Sequence, residues 1–242
     1  MKLQGKTALI SGGGTGIGAA IARALHAEGA QVTVCGRRPE PLQLLCSELG
    51  ERAHWTTCDV AQDGAAADAI QATTKRWGGL DLLVNNAGVF LAKPLTEISD
   101  AEIDLLTGVN LRGLLSLSRE AIPALVASKG AIVNIGSVSA NRPLPGASLY
   151  AGLKAAVEHV TRCLAVELGP AGVRVNCVAP GLTETDMSAP LTQNADMLAQ
   201  QVAATPLGRL GAPEDIAPAV VYLASDPWVT GQVIQSSGGL FI

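Results

Sequence analysis

The chain has 242 residues, 48% of them hydrophobic, with aromatics held to 3%. That is ample apolar material for a sizeable core, built from Ala, Val, Leu and Ile rather than from rings. A net charge of -4 gives no basic footprint, which argues against nucleic acid as the main partner.

Met1 to Lys6 carries no apolar stretch of signal-peptide length. No run of about 18 apolar residues follows, so no membrane span is expected. The five cysteines (Cys35, Cys46, Cys58, Cys163 and Cys177) are scattered and show no paired metal spacing. They read as small hydrophobes, and no metal site is expected. The expectation is a soluble, cytoplasmic protein.

Taken in order, Thr7–Ile10 reads as a buried strand, and Ser11-Gly12-Gly13-Gly14-Thr15-Gly16-Ile17-Gly18 follows it. A helical pattern over Ala19–Glu28 comes next and is stopped by Gly29. Glycines between a strand and a helix permit a tight turn and let backbone approach a pyrophosphate seated on the helix N-terminus. Alone, such a loop is a weak signal, and the alternative is a flexible turn. The cofactor residues expected from it are Gly12, Gly14, Thr15, Gly16, Ile17 and Gly18.

A second strand, Gln31–Cys35, ends at Gly36-Arg37-Arg38 with no carboxylate. An acidic residue there would accept hydrogen bonds from the adenosine ribose and select NAD. Guanidinium groups instead suit a 2′-phosphate, with two donors each. Arg37 and Arg38 therefore favour NADP over NAD, unless they only cap a surface loop.

A helix over Pro41–Leu49 leads to a weaker strand at His54–Cys58, followed by Asp59 and Val60. A helix at Ala65–Trp77 and a strand at Leu80–Val84 follow. One long helix over Ser99–Ser128 precedes a strand at Ala131–Ile135, and a helix at Ala151–Leu168 precedes strands at Val173–Val178 and Gln232–Ile234. Between those last two, Pro213–Ala224 reads as helix.

Near-continuous apolar strands separated by helices indicate a parallel sheet covered on both faces. The expected class is α/β: a Rossmann-type doubly wound sheet of about seven mainly parallel strands, forming a three-layer sandwich. No polar linker divides the chain, so residues 1–242 read as one domain. The exception is 182–210, which is polar and poorly periodic, and is expected to be a substrate lid.

Tyr150 and Lys154 stand four residues apart, which places them on one helix face. A neighbouring ammonium favours phenolate and would pull the tyrosine pKa down from about 10. A hydroxyl tuned toward the working pH can exchange a proton with a carbonyl or an alcohol. Ser137, thirteen residues upstream, could hold the same oxygen. Ser139 is a rival for that role, and the offset to Tyr150 favours Ser137.

The glycine loop, Asn85-Asn86-Ala87-Gly88, Asn110, Ser137, Tyr150-x-x-x-Lys154 and Pro180-Gly181 occur in that order. Over essentially its whole length the chain resembles the short-chain dehydrogenase/reductase family, with the pattern nearest to 3-oxoacyl-carrier-protein reductases. The resemblance implies that Tyr150 is the general acid or base, and that Lys154 lowers its pKa and bonds the nicotinamide ribose. It implies that Ser137 orients the substrate oxygen and that Asn110 holds a water for proton resupply.

By the same likeness Asn86, Ala87 and Gly88 lie on the adenosine side, and Asp59 and Val60 meet the adenine. Pro180 and Gly181 shape the nicotinamide site, with Thr183 and Thr185 near the carboxamide. Asp59 could be only a turn cap, and Asn110 only an interior polar residue. Members of the family assemble as tetramers through the helices at Ser99–Ser128 and Ala151–Leu168, so a homotetramer is expected.

Ser11 stands where the family has Thr, and Ser236-Ser237-Gly238-Gly239 lacks a usual Asp. The arginines that hold an acidic carrier protein in the nearest relatives are replaced here by Ser128 and Ala171. The expected activity is therefore an NADP(H)-dependent interconversion of a small ketone and a secondary alcohol. The alternatives are a 3-oxoacyl-carrier-protein reductase of fatty-acid or polyketide synthesis and a non-catalytic nucleotide-binding member.

Overall fold

The computed structural model describes residues 1–192 and 194–240, leaving aside the side chains of Pro190 and Leu191. Seven strands form one sheet in the order β3-β2-β1-β4-β5-β6-β7. They are β1 (Thr7–Ser11), β2 (Gln31–Gly36), β3 (Ala53–Thr57), β4 (Leu82–Asn85), β5 (Ala131–Ile135), β6 (Arg174–Pro180) and β7 (Val233–Ser236). Every pairing is parallel, in keeping with the expected doubly wound sheet. Strand order reverses between β1 and β4, which opens a crevice at their carboxyl ends.

Covered on both faces, the central strands are buried at every position and mostly apolar, as the runs Thr7–Ser11 and Ala131–Ile135 show. One face packs under α1 (Gly16–Ala27), α2 (Pro39–Leu49) and α9 (Pro213–Ser225), where Ile10, Ile21, Leu25 and Val220 are fully buried. The other face packs under α3 (Ala65–Trp77), α5 (Gly113–Ser128) and α6 (Ser148–Leu168), around Leu9, Leu83, Leu117 and Ile132. Cys35 and Cys58 sit in the second of these cores as buried thiols, and Cys177 is buried in a small cluster with Leu114 and Val157. Among the described residues no helix is long and apolar enough to cross a membrane.

The long helix expected over Ser99–Ser128 is two helices. Ser99 and Glu102 form a capping box that starts α4 (Asp100–Thr107). A π turn over Gly108–Arg112 then interrupts the ladder before α5. Asn110 is the cause we assign: its Nδ2 donates to the Leu106 carbonyl at 3.0 Å, the oxygen that the backbone N–H four residues on would otherwise take. Such a bulge is common at functional sites because it re-aims a side chain.

The segment 182–210 also departs from expectation. It holds α7 (Ala189–Thr192) and α8 (Ala195–Ala204), the latter capped by Asn194, whose Oδ1 accepts from the backbone of Asp196 and Met197. Helix α8 fully buries none of its residues, and only Leu198, Gln201 and Val202 on one face are half-buried. Gln193, within the expected lid, lies outside the described residues.

Candidate active site

The crevice at the strand reversal is a cleft of about 410 Å³. Its floor begins at the glycine loop. Gly16 opens α1 with φ +52, and Thr15 before it makes no side-chain cap. The first-turn N–H groups of α1 are thus left as donors for an anion.

A Cβ on Gly18 would stand 2.1 Å from the Gly12 carbonyl oxygen, so loop and helix can cross there only without side chains. Asn86 Nδ2 donates to the Ser11 and Gly12 carbonyls at 2.9 and 3.0 Å, while Ser11 Oγ accepts from the Asn86 and Ala87 N–H groups, both at 3.1 Å. Ser11, noted in the sequence only as a departure, is the hydroxyl that locks β4 to this loop.

Gly14, Ile17, Arg37, Arg38, Asp59, Val60, Gly88, Pro180, Gly181, Thr183 and Thr185 all line the same cleft. Arg37 and Arg38 follow β2 and are exposed. Asp59 Oδ1 accepts from the Ala61 N–H at 3.1 Å, which makes it a turn cap whatever else it meets.

Gly181 is held by its N–H on the Ser236 carbonyl at 3.0 Å, and a Cβ there would press within 2.8 Å of Ser237. Ser237 therefore backs the turn closely. Thr185 reaches across the cleft to Gly16, where a Cβ would lie 3.1 Å from its methyl.

The opposite end gathers Ser137, Tyr150 and Lys154. Ser137 leaves β5 through Gly136 in extended conformation. Tyr150 lies in the first turn of α6, with Phe90 packed edge-on at 5.0 Å between ring centroids. Lys154 is buried, donates from Nζ to the Ile135 carbonyl at 2.9 Å, and stands 5.7 Å from the Tyr150 ring centroid.

Burial pushes the Lys154 ammonium down to about 8. Burial pushes the Tyr150 phenol above its ordinary value, opposed by hydrogen bonding with Ser137. The direction is the reverse of the depressed tyrosine pKa expected from Lys154. The ammonium is engaged by a backbone carbonyl and is itself weakened by desolvation, so it does not overcome the cost of a buried phenolate.

Asn110 does not line the cleft wall with the others. Both of its amide hydrogens are engaged, by the Val89 and Leu106 carbonyls at 3.0 Å each, and its Oδ1 accepts from the Val89 N–H at 3.2 Å. Its side chain clamps the loop after Gly88, and a Cβ on that glycine would press on Oδ1 at 3.1 Å.

Beyond the expected set, Val89, Phe90, Leu144, Leu182, Met187 and Gln201 enclose the hydroxyl end. Phe90 was legible, since it follows a strand end two residues past Gly88; Gln201, on α8, carries no sequence signal. Among the described residues no group of His, Cys, Asp or Glu gathers as metal ligands.

A doubly wound parallel sheet with a glycine turn at its strand reversal and a Ser, Tyr and Lys at the same crevice defines the Rossmann-type class. The family model described as Enoyl-(Acyl carrier protein) reductase matches residues 12–241. An uncharacterised oxidoreductase of Methylorubrum extorquens is 38% identical over 247 residues, covering 99% of both chains. The 3-oxoacyl-[acyl-carrier-protein] reductase of Chlamydia trachomatis is 34% identical over 245 residues, covering 98% of both.

Among solved structures, the 3-ketoacyl-(acyl-carrier-protein) reductase of Brucella melitensis complexed with NADH matches with a TM-score of 0.93 and 32% identity, over 99% of this chain and 100% of that one. A short chain dehydrogenase of Burkholderia cenocepacia in complex with NADP gives 0.94 and 36%, over 100% of both. The chain belongs to the short-chain dehydrogenase/reductase family of oxidoreductases.

Proposed function

We propose that this protein is an NADP(H)-dependent oxidoreductase that interconverts a ketone and a secondary alcohol, with Tyr150 as general acid and base. The observation that carries the reading is the convergence of Ser137, Tyr150 and Lys154 in the cleft that starts at the uncapped N-terminus of α1. That N-terminus and the bare Gly12–Gly18 crossing suit a pyrophosphate. Arg37 and Arg38 suit a 2′-phosphate, and Asp59, Val60, Asn86, Ala87 and Gly88 suit the adenosine. Pro180, Gly181, Thr183 and Thr185 suit the nicotinamide. Bound there, the dinucleotide supplies or accepts the hydride.

A phenol held protonated by burial is fit to give its proton to an oxygen gaining charge, which supports carbonyl reduction at neutral pH. Ser137 donates a hydrogen bond to that same oxygen. Lys154, with a value near 8, can pass a proton on toward Tyr150. Asn110 places the Gly88–Val89 wall and is our candidate for holding a water behind Lys154. The segment 182–210 is the proposed cover, since Thr185, Met187 and Gln201 close over the cleft. The apolar walls at the hydroxyl end favour an uncharged carbonyl substrate.

We take residues 1–242 as one catalytic unit acting in the cytoplasm as a homotetramer. Exposed Leu105 and Leu115 on α4 and α5, and Val166 on α6, support that assembly, and light scattering tests it. The relatives named 3-oxoacyl-[acyl-carrier-protein] reductase favour a second reading, in which a carrier protein delivers the substrate. Against it, Ser128 is turned inward, its Oγ donating to the Leu80 carbonyl at 2.8 Å, and Ala171 carries no charge.

The test is a panel of ketones and 3-oxoacyl thioesters with NADPH and with NADH, followed at the reduced-nicotinamide absorbance. Turnover of free ketones with NADPH preferred is expected. Tight NADPH binding with no turnover of any carbonyl or alcohol overturns the enzymatic reading, and equal affinity for NADH overturns the cofactor preference.

A further inference from the structure

Two hydrogen bonds converge on the Ser137 hydroxyl oxygen from one neighbour. The Ser139 N–H reaches it at 3.2 Å and the Ser139 hydroxyl at 2.8 Å. Ser139 is 5% exposed, and among the described residues its hydroxyl has no other hydrogen-bond partner. The direction of that second bond follows from satisfaction of buried groups. If Ser137 donated to Ser139, the Ser139 hydrogen would have no described acceptor at the cleft wall that Ser139 lines, whereas donation to Ser137 satisfies it. Ser139 therefore donates.

A serine oxygen has two lone pairs and one hydrogen. Both lone pairs of Ser137 Oγ are then filled, and only its own hydrogen remains to be donated, toward Tyr150 or an oxygen in the cleft. We infer that Ser139 is a positioning residue that makes Ser137 an obligate hydrogen-bond donor. A donor-only Ser137 cannot accept the phenolic proton, which stays available to the substrate oxygen. It also presents a hydrogen wherever negative charge develops, on that oxygen during reduction or on the phenolate during oxidation.

The consequence rests on the proposed role of Ser137, so the variants are chosen to separate the two. Ser137→Ala is expected to lower kcat by about 10²–10³, the usual loss of one preorganised donor. Ser139→Ala is expected to lower kcat by about three- to tenfold, with KM and NADPH affinity unchanged. Ser139→Thr keeps the hydroxyl and should restore the rate. In the oxidation direction, the pH at which activity rises should move upward in Ser139→Ala, because Ser137 no longer faces the phenolate.

The double variant Ser137→Ala/Ser139→Ala should match Ser137→Ala alone, since Ser139 acts through the residue already removed. If Ser139→Ala proves unstable in a thermal melt, Ser139→Cys, a weaker donor, should give an intermediate kcat. A wild-type rate in Ser139→Ala with Ser137→Ala impaired overturns this inference alone. Multiplicative loss in the double variant does the same, because Ser139 would then act independently. An unimpaired Ser137→Ala overturns both this inference and the reading of Ser137.

Discussion

The glycine end of the cleft is made of backbone, whereas the hydroxyl end is made of side chains brought from separate elements. At Gly12–Gly18 the chain passes within 2.1 Å of a position any Cβ would need, and three hydrogen bonds from Asn86, after β4, hold Ser11 and Gly12. Its donors are the N–H groups of α1, whose charge does not titrate. At the other end Ser137 comes from β5, Tyr150 and Lys154 from α6, and the clamp Asn110 from a π turn. Their protonation is set by burial. The first end is fixed by sterics and should answer to added bulk; the second is tuned by dielectric and should answer to pH.

Four changes would break or sharpen that contrast. The largest effect is expected from Tyr150→Phe, which removes the proton donor while keeping the ring against Phe90. Turnover should fall by roughly 10³-fold or more, toward the upper range for general acid catalysis, with NADPH affinity by fluorescence nearly unchanged. A loss of binding instead would tie the two ends together.

Next comes the pH response of Lys154, whose buried ammonium is pushed down to about 8 while the unfolded chain keeps an ordinary lysine value. Below pH 8 both states bind the proton, and the folded state bears the full cost of a buried charge. As pH rises from about 8 toward the ordinary value, the unfolded chain holds a proton the folded one has released, so stability rises. Urea melts of wild type and Lys154→Met should show the wild type gaining on the order of 3 kcal/mol relative to the variant across that window. A pH-independent gap would place the ammonium in contact with water.

Gly18→Ala tests the steric end. Forcing a methyl against the Gly12 carbonyl should cost about 1–3 kcal/mol in urea melts and weaken cofactor binding at every pH. Survival of both stability and affinity would show that the loop yields. The smallest effect is expected from Arg37→Asp, at the exposed rim beyond the glycines. NADPH should bind about tenfold more weakly, as for a lost charge-assisted bond, with NADH unaffected or improved.

Much of the sheet was legible, because strands buried on both faces read as continuous apolar runs such as Ala131–Ile135. Helices with one face on the sheet, such as Ala65–Trp77, were legible by their spacing. Helix α8 was not, since its inward face is short and only half-buried, at Leu198, Gln201 and Val202. The break at Gly108–Arg112 was hidden as well, because it arises from Asn110 meeting the Leu106 and Val89 carbonyls, two contacts that no local pattern encodes.

By itself the amino-acid sequence determined the fold class, the glycine crossing and the identities of the groups in the cleft. Those depend on periodicity, on the absence of Cβ atoms and on side-chain chemistry, all of which are local. Only the tertiary structure decided the state of those groups. Tyr150 shares a helix face with Lys154, yet its phenol is pushed up rather than down, because burial and the Ile135 carbonyl act from outside that helix. Desolvation depends on everything packed around a group, and that packing exists only once the chain has folded.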